Sequence, residues 1–214
     1  MSEDWPSVVA DLSNLLKLDR VELVSTIIHE LFHRTYFLAG QVMFDESAAT
    51  WVGARGAVEF FTETEGPESR DTIEAQSALE SYLKFARFLL AAQAELLKLY
   101  TSGKPTDAIV KERDPVFANI KAEYARLAPG LNGLSRFDLD KEPLNNAVLI
   151  NYFIYFHDLD NFETLARINH EDLKLTIQRI IELAKSNPSD PFYAIWEATR
   201  DSRVTNIPTD AQRP

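Results

Sequence analysis

"DRVELVSTIIHELFHRTYFLAG", Asp19 to Gly40, carries both the fold and the chemistry of this chain. Asp19 followed three residues later by Glu22 has the form of a capping box, and the apolar residues after it recur at helical spacing. A helix is therefore predicted from about Asp19 to Leu38, with Gly40 ending it. At about 3.6 residues per turn, His29 and His33 leave such a helix in nearly the same direction, so their imidazoles can converge on one ion. Glu30 stands about 100° round the axis, within reach of a water on that ion. This His-Glu-x-x-His arrangement is the zinc metalloprotease motif, with the glutamate as general base. The competing reading is a pair of inert, hydrogen-bonded histidines, but an apolar run such as "TIIHELFH" makes burying them without purpose costly.

Periodicity extends the helical reading along the chain. Only 7 of 214 residues are glycine, and no alternating strand pattern or internal repeat stands out. Helices are expected over residues 45–61, 70–100, 106–127 with a break or kink at Pro115, 144–159, 161–168, 171–186 and 190–199. The long helix from Arg70 to Tyr100 is expected to be central and largely buried. "GQVMF" reads as a loop before the second helix, and "APGLNGLSRFDLDKEP" as a loop after the fourth. The prediction is a mainly α protein with little or no sheet: one helical domain over residues 1–200, then a flexible tail at 201–214.

Composition narrows the function classes. The formal net charge is −11, from 33 acidic and 22 basic residues, and the basic residues are scattered, which argues against nucleic acid as a partner. No cysteine is present, so disulfides and thiolate metal ligands are excluded. No apolar run approaches the roughly 20 residues of a membrane span, and "MSEDWPSVVA" lacks the features of a signal peptide. A cytoplasmic location is expected if the chain is complete, and a periplasmic or lipoprotein-anchored one if a leader has been removed.

A catalytic zinc takes three protein ligands and keeps a fourth position for water, so the two histidines need a third partner. Glu46 lies thirteen residues after His33, on the helix that returns antiparallel. Ala49, Thr50, Gly53 and Ala57 on the same face are small enough to let the two helices close. The alternative for Glu46 is an acid that merely favours a helix N-terminus. Asp45 and Thr50 are candidate partners for the histidine N–H groups. For the oxyanion of peptide hydrolysis, "NNAVLINYFIYFHD" offers Tyr155 first, His157 second, and Tyr152; each is also readable as an ordinary residue of a buried helix. Asn145 and Asn146 are candidates to hold substrate backbone, or else to cap the helix after Pro143.

"IHELFHR" (Ile28 to Arg34), "FDESAAT" (Phe44 to Thr50) and "PLNNAVL" (Pro143 to Leu149) together resemble, in order and spacing, the bacterial family of "putative aminopeptidases", predicted zinc peptidases. The resemblance implies the helical part of a zincin metallopeptidase of the gluzincin kind. It further implies Zn²⁺ on His29, His33 and Glu46, Glu30 as catalytic base, and a peptide as substrate. Asp45 stands where the family usually has asparagine. Family members also carry a longer portion before the motif helix, which leads to two expectations. One is a zinc aminopeptidase. The other is a helical binding module that keeps a zinc site without turnover because the substrate-binding N-terminal portion is absent.

Overall fold

Asp19 starts the first helix as its sequence requires: its Oδ1 accepts a hydrogen bond from the Glu22 N–H at 2.8 Å. The structure is a computed structural model that describes residues 17–134, 138–139 and 143–204; of residues 201–204 only the backbone is described. Its helices are α1 (Arg20–Thr35), α2 (Val42–Glu65), α3 (Arg70–Tyr100), α4 (Thr106–Leu127), α5 (Asn146–Phe156), α6 (Leu159–Ile168), α7 (Leu173–Ser186) and α8 (Pro191–Val204), with a 3-10 turn at Ala128–Gly130. Among the described residues there is no strand, and no helix is long and apolar enough to cross a membrane. The fold is mainly α, as expected. Of the tail expected at 201–214, residues 201–204 extend α8 and the rest lies outside the described residues.

Three local expectations are corrected. The second helix begins at Val42, inside the stretch read as a loop. Its early start depends on a tertiary bond: Asp45 Oδ1 accepts from the Leu38 N–H at 3.0 Å and ties the turn to the first helical turn. Helix α4 runs unbroken through Pro115, which is exposed, so the carbonyl that loses its partner faces water rather than apolar core. The central element is α2, not α3. Helix α3 buries one face, including Leu79, Leu83, Phe85 and Leu89, and leaves Glu80, Lys84 and Arg87 outside.

Helix α2 touches α1, α3, α5, α6 and α7. Phe44, Trp51 and Phe61 on it are fully buried, and Ala48, Ala49, Gly53, Ala54, Gly56 and Ala57 let neighbours approach between them. The approach of α1 is closest at Gly53, where an added Cβ would lie 2.5 Å from the Ser25 carbonyl oxygen and 3.2 Å from His29 Cβ. At Gly56 the obstacle is softer: an added Cβ would lie 2.9 Å from Cγ2 of Ile28, the side chain of a neighbour that can shift.

Gly53→Ala therefore sets a helix-propensity gain of up to about 1 kcal/mol against a clash with backbone, at the usual overpacking cost of about 1–3 kcal/mol. The expected result is a net loss of stability, larger than for Gly56→Ala, read from urea-unfolding midpoints. A Gly53→Ala protein as stable as the parent would show that the helices are not held at this distance.

Candidate metal centre

His29 and His33 stand one turn apart on α1, and α2 returns antiparallel so that Glu46, in its second turn, faces both. The two histidine Nε2 atoms are 3.0 Å apart. Glu46 Oε2 lies 3.3 Å from the first and 3.6 Å from the second. A tetrahedral ion held at about 2.0–2.2 Å separates its ligand atoms by roughly 3.3–3.6 Å, so these three atoms already have nearly the separations that such an ion imposes. Among the described residues, this is the group of three that could hold a metal ion. Two imidazole nitrogens and one carboxylate oxygen also suit a borderline divalent cation by donor chemistry.

The electrostatics show why these groups are costly to gather without a cation. Burial is the main influence raising the Glu46 carboxyl above its usual value; the facing His33 opposes it, and the charges of Glu30 and Asp45 add to it. Asp45 is 1% exposed and is raised by the same burial, against the Leu38 N–H and His33. Its second oxygen, Oδ2, and His33 Nδ1 are both buried without a hydrogen-bond partner. Asp45 and His33 thus interact through charge, without the direct hydrogen bond that was one candidate role for Asp45.

The three donors open into a cavity of about 290 Å³, lined by Ser25, Thr26, His29, Glu30, His33, Glu46, Thr50, Tyr82 and Tyr155. Their side chains are 16%, 19% and 25% exposed, so a small ligand can reach them from solvent. Glu30 is on the exposed rim, beside the donors. Tyr155 comes from α5.

Other candidates are placed elsewhere. Asn145 caps α5, its Oδ1 accepting from the N–H groups of Ala147 and Val148 at 2.9 and 3.1 Å. Asn146 Oδ1 accepts from the Tyr100 hydroxyl at 2.7 Å. Neither lines this cavity, so their amides serve α5 and its packing on α3. Tyr152 packs its ring edge-on to Phe85 in the core, and His157 packs against Phe192. Three cavity residues, Ser25, Thr26 and Tyr82, escaped sequence reasoning. Ser25 is one turn before His29 and was open to discovery by the same spacing rule. Tyr82 arrives from α3, some fifty residues away, and nothing local marks it.

Among the described residues, the protein is a helical one with a His-His-Glu group able to hold a metal at an open cavity. The chain belongs to the family described as "Putative aminopeptidase", which it matches over residues 11–191. No curated protein and no solved structure matches it.

Two measurements check the centre. The purified chain is expected to bind one divalent ion, and His29→Ala or Glu46→Ala to lose it after dialysis against a chelator; retention of full stoichiometry by both variants would refute the assignment. Asp45→Asn keeps an oxygen for the Leu38 N–H but removes the charge. It should preserve folding and lower metal affinity on the order of 10–100-fold, as changes behind a ligand do. Unchanged affinity would confine Asp45 to the turn.

Proposed function

We propose that this chain is a zinc-dependent peptidase of aminopeptidase type, hydrolysing a peptide bond at the cavity of His29, His33 and Glu46. One observation carries the reading: three donor atoms from two helices lie near tetrahedral-edge separations, with a second carboxylate, Glu30, on the same cavity. The family match supports the peptide as substrate and the exopeptidase type.

His29, His33 and Glu46 would hold the ion. Bound there, Zn²⁺ would polarise the scissile carbonyl and lower the pKa of a water from 15.7 to around 7. Glu30 would accept a proton from the attacking water and return it to the amine that leaves. Its carboxylate suits the task because it lines the same cavity and stands on the same helix as two of the donors. Tyr155 donates its hydroxyl hydrogen to the oxygen that gains negative charge. Rigid helices on both sides hold these groups, and that positioning is where most of an entropic advantage originates.

Glu30→Gln should separate binding from chemistry. The amide has nearly the same shape but cannot accept the proton, so zinc content should stay at the parental level while kcat falls by about 10²–10⁴ on a panel of amino-acid amides. Undiminished turnover would place the base elsewhere. Tyr155→Phe should keep the metal and lower kcat by about 10²–10³ with little change in KM, the pattern of a group that acts in the transition state. An unaltered kcat would return Tyr155 to the role of a packing residue.

A further inference from the structure

A second, larger cavity of about 430 Å³ adjoins the first, and Ser25 and Tyr82 line both. The two run along α1: from His33 back to Asp19 is fourteen residues, or roughly 21 Å of helix. That is the length of about six residues of extended peptide. The metal donors occupy one end of this trough, and the larger cavity begins at Ser25, one turn from His29.

The buried wall of the larger cavity is alkyl, and its charged residues, Asp19, Glu22, Arg70 and Glu74, stand at more exposed positions. Val21 comes from α1, Ala54 and Ala57 from α2, and Ile73, Ala75 and Ala78 from α3. Alanines on two facing helices leave a space where larger side chains would fill it. The end wall is built rather than loose: the Asn132 N–H donates to Ser81 Oγ at 2.9 Å, and its side-chain amide donates to Ser77 Oγ at 2.8 Å. These bonds press Gly133 onto α3, where an added Cβ would lie 2.9 Å from that of Ala78. Three carboxylates, Asp19, Glu22 and Glu74, also line this cavity, together with Arg70. Asp19 caps α1, and Glu74 lies 3.7 Å from Arg70. Their negative charge disfavours an acidic guest, and Arg70 offsets only part of it, so lysine amide is the competitor that the test must include.

We propose that this cavity receives a large apolar side chain of the peptide substrate, so that the enzyme selects leucine- or phenylalanine-like residues beside the scissile bond. The proposal rests on the peptidase reading above. Burying such a side chain against Val21, Ala54, Ala57, Ala75 and Ala78 removes apolar area from water. Ile73, 53% exposed, stands at the mouth and sets how much of the cavity is open.

The test is a titration of the whole chain, with alanine methyls labelled for NMR, using the amides of leucine, phenylalanine, glycine and lysine. Leucine and phenylalanine amides are expected to shift the methyls of Ala54, Ala57, Ala75 and Ala78, with Kd at least tenfold below that of glycine amide. Ile73→Trp, a change at an exposed position, should weaken phenylalanine amide at least tenfold and leave glycine amide unaltered. Ile73→Ala should leave phenylalanine amide bound. Tightest binding by lysine amide, shifts that spare all four alanines, or indifference to Ile73→Trp would each overturn the proposal. The readout requires neither turnover nor metal, so a chain that fails to hydrolyse peptides would refute the peptidase reading while the cavity is still scored on its own.

Discussion

The contact on which the rest depends is that of α1 with α2 at Gly53. Without a side chain there, the Ser25 carbonyl and the His29 Cβ sit where a methyl group would otherwise stand. A wider separation would carry Glu46 away from His29 and His33 one-for-one, because all three are fixed to helical backbone. Metal ligation tolerates errors of only about 0.2 Å. A glycine seven residues after Glu46, two helical turns along, is therefore as much a part of the site as the donors. The six-residue connection between the helices adds the second constraint, since Asp45 binds the Leu38 N–H and fixes the point at which α2 turns back.

Much of this was legible in the sequence because its signals are local. The cap at Asp19 and the spacing of His29 and His33 depend on one helix alone. Likewise α3 was read at its observed bounds, Arg70 to Tyr100: Ser69 caps it by accepting from the Thr72 N–H, and Gly103 and Pro105 follow its end. Glu46 was reachable because small residues repeat along its face. Apart from Ser25 and Thr26, what escaped was nonlocal. The helical start at Val42 depends on a side chain that bonds backwards across the turn. Tyr82 enters the cavity only because α3 crosses α1, and no periodicity within α3 distinguishes it from its neighbours. Asn145 shows the opposite error: a polar residue in a recognised stretch drew a functional reading, whereas its oxygen satisfies two N–H groups of the helix it begins.

Helix α2 also explains how a site with several charges is tolerated at the edge of a core. Phe44, Trp51 and Phe61 anchor α2 in apolar contacts, and Trp51 in turn donates its indole N–H to Glu163 at 3.0 Å. Arg55, one turn further, pairs with Glu163 and Glu171. The helix is thus held on its far side by packing and by ion pairs, independently of α1. The cost of gathering Glu46, Asp45 and two imidazoles on its near side need not be offset by those groups themselves.

That separation gives Asp45 its meaning. One oxygen is committed to the Leu38 N–H, while the other is buried without a partner, as is His33 Nδ1. A buried negative charge acting on an imidazole favours the tautomer with its hydrogen on the nitrogen nearer the charge. Where that nitrogen is Nδ1, the lone pair is left on Nε2, the atom that faces His29 and Glu46. An asparagine would fasten the same turn through its oxygen but supply no such field. The aspartate therefore joins two functions on one side chain: it closes the loop that sets the distance between α1 and α2, and it places a carboxylate in electrostatic contact with His33.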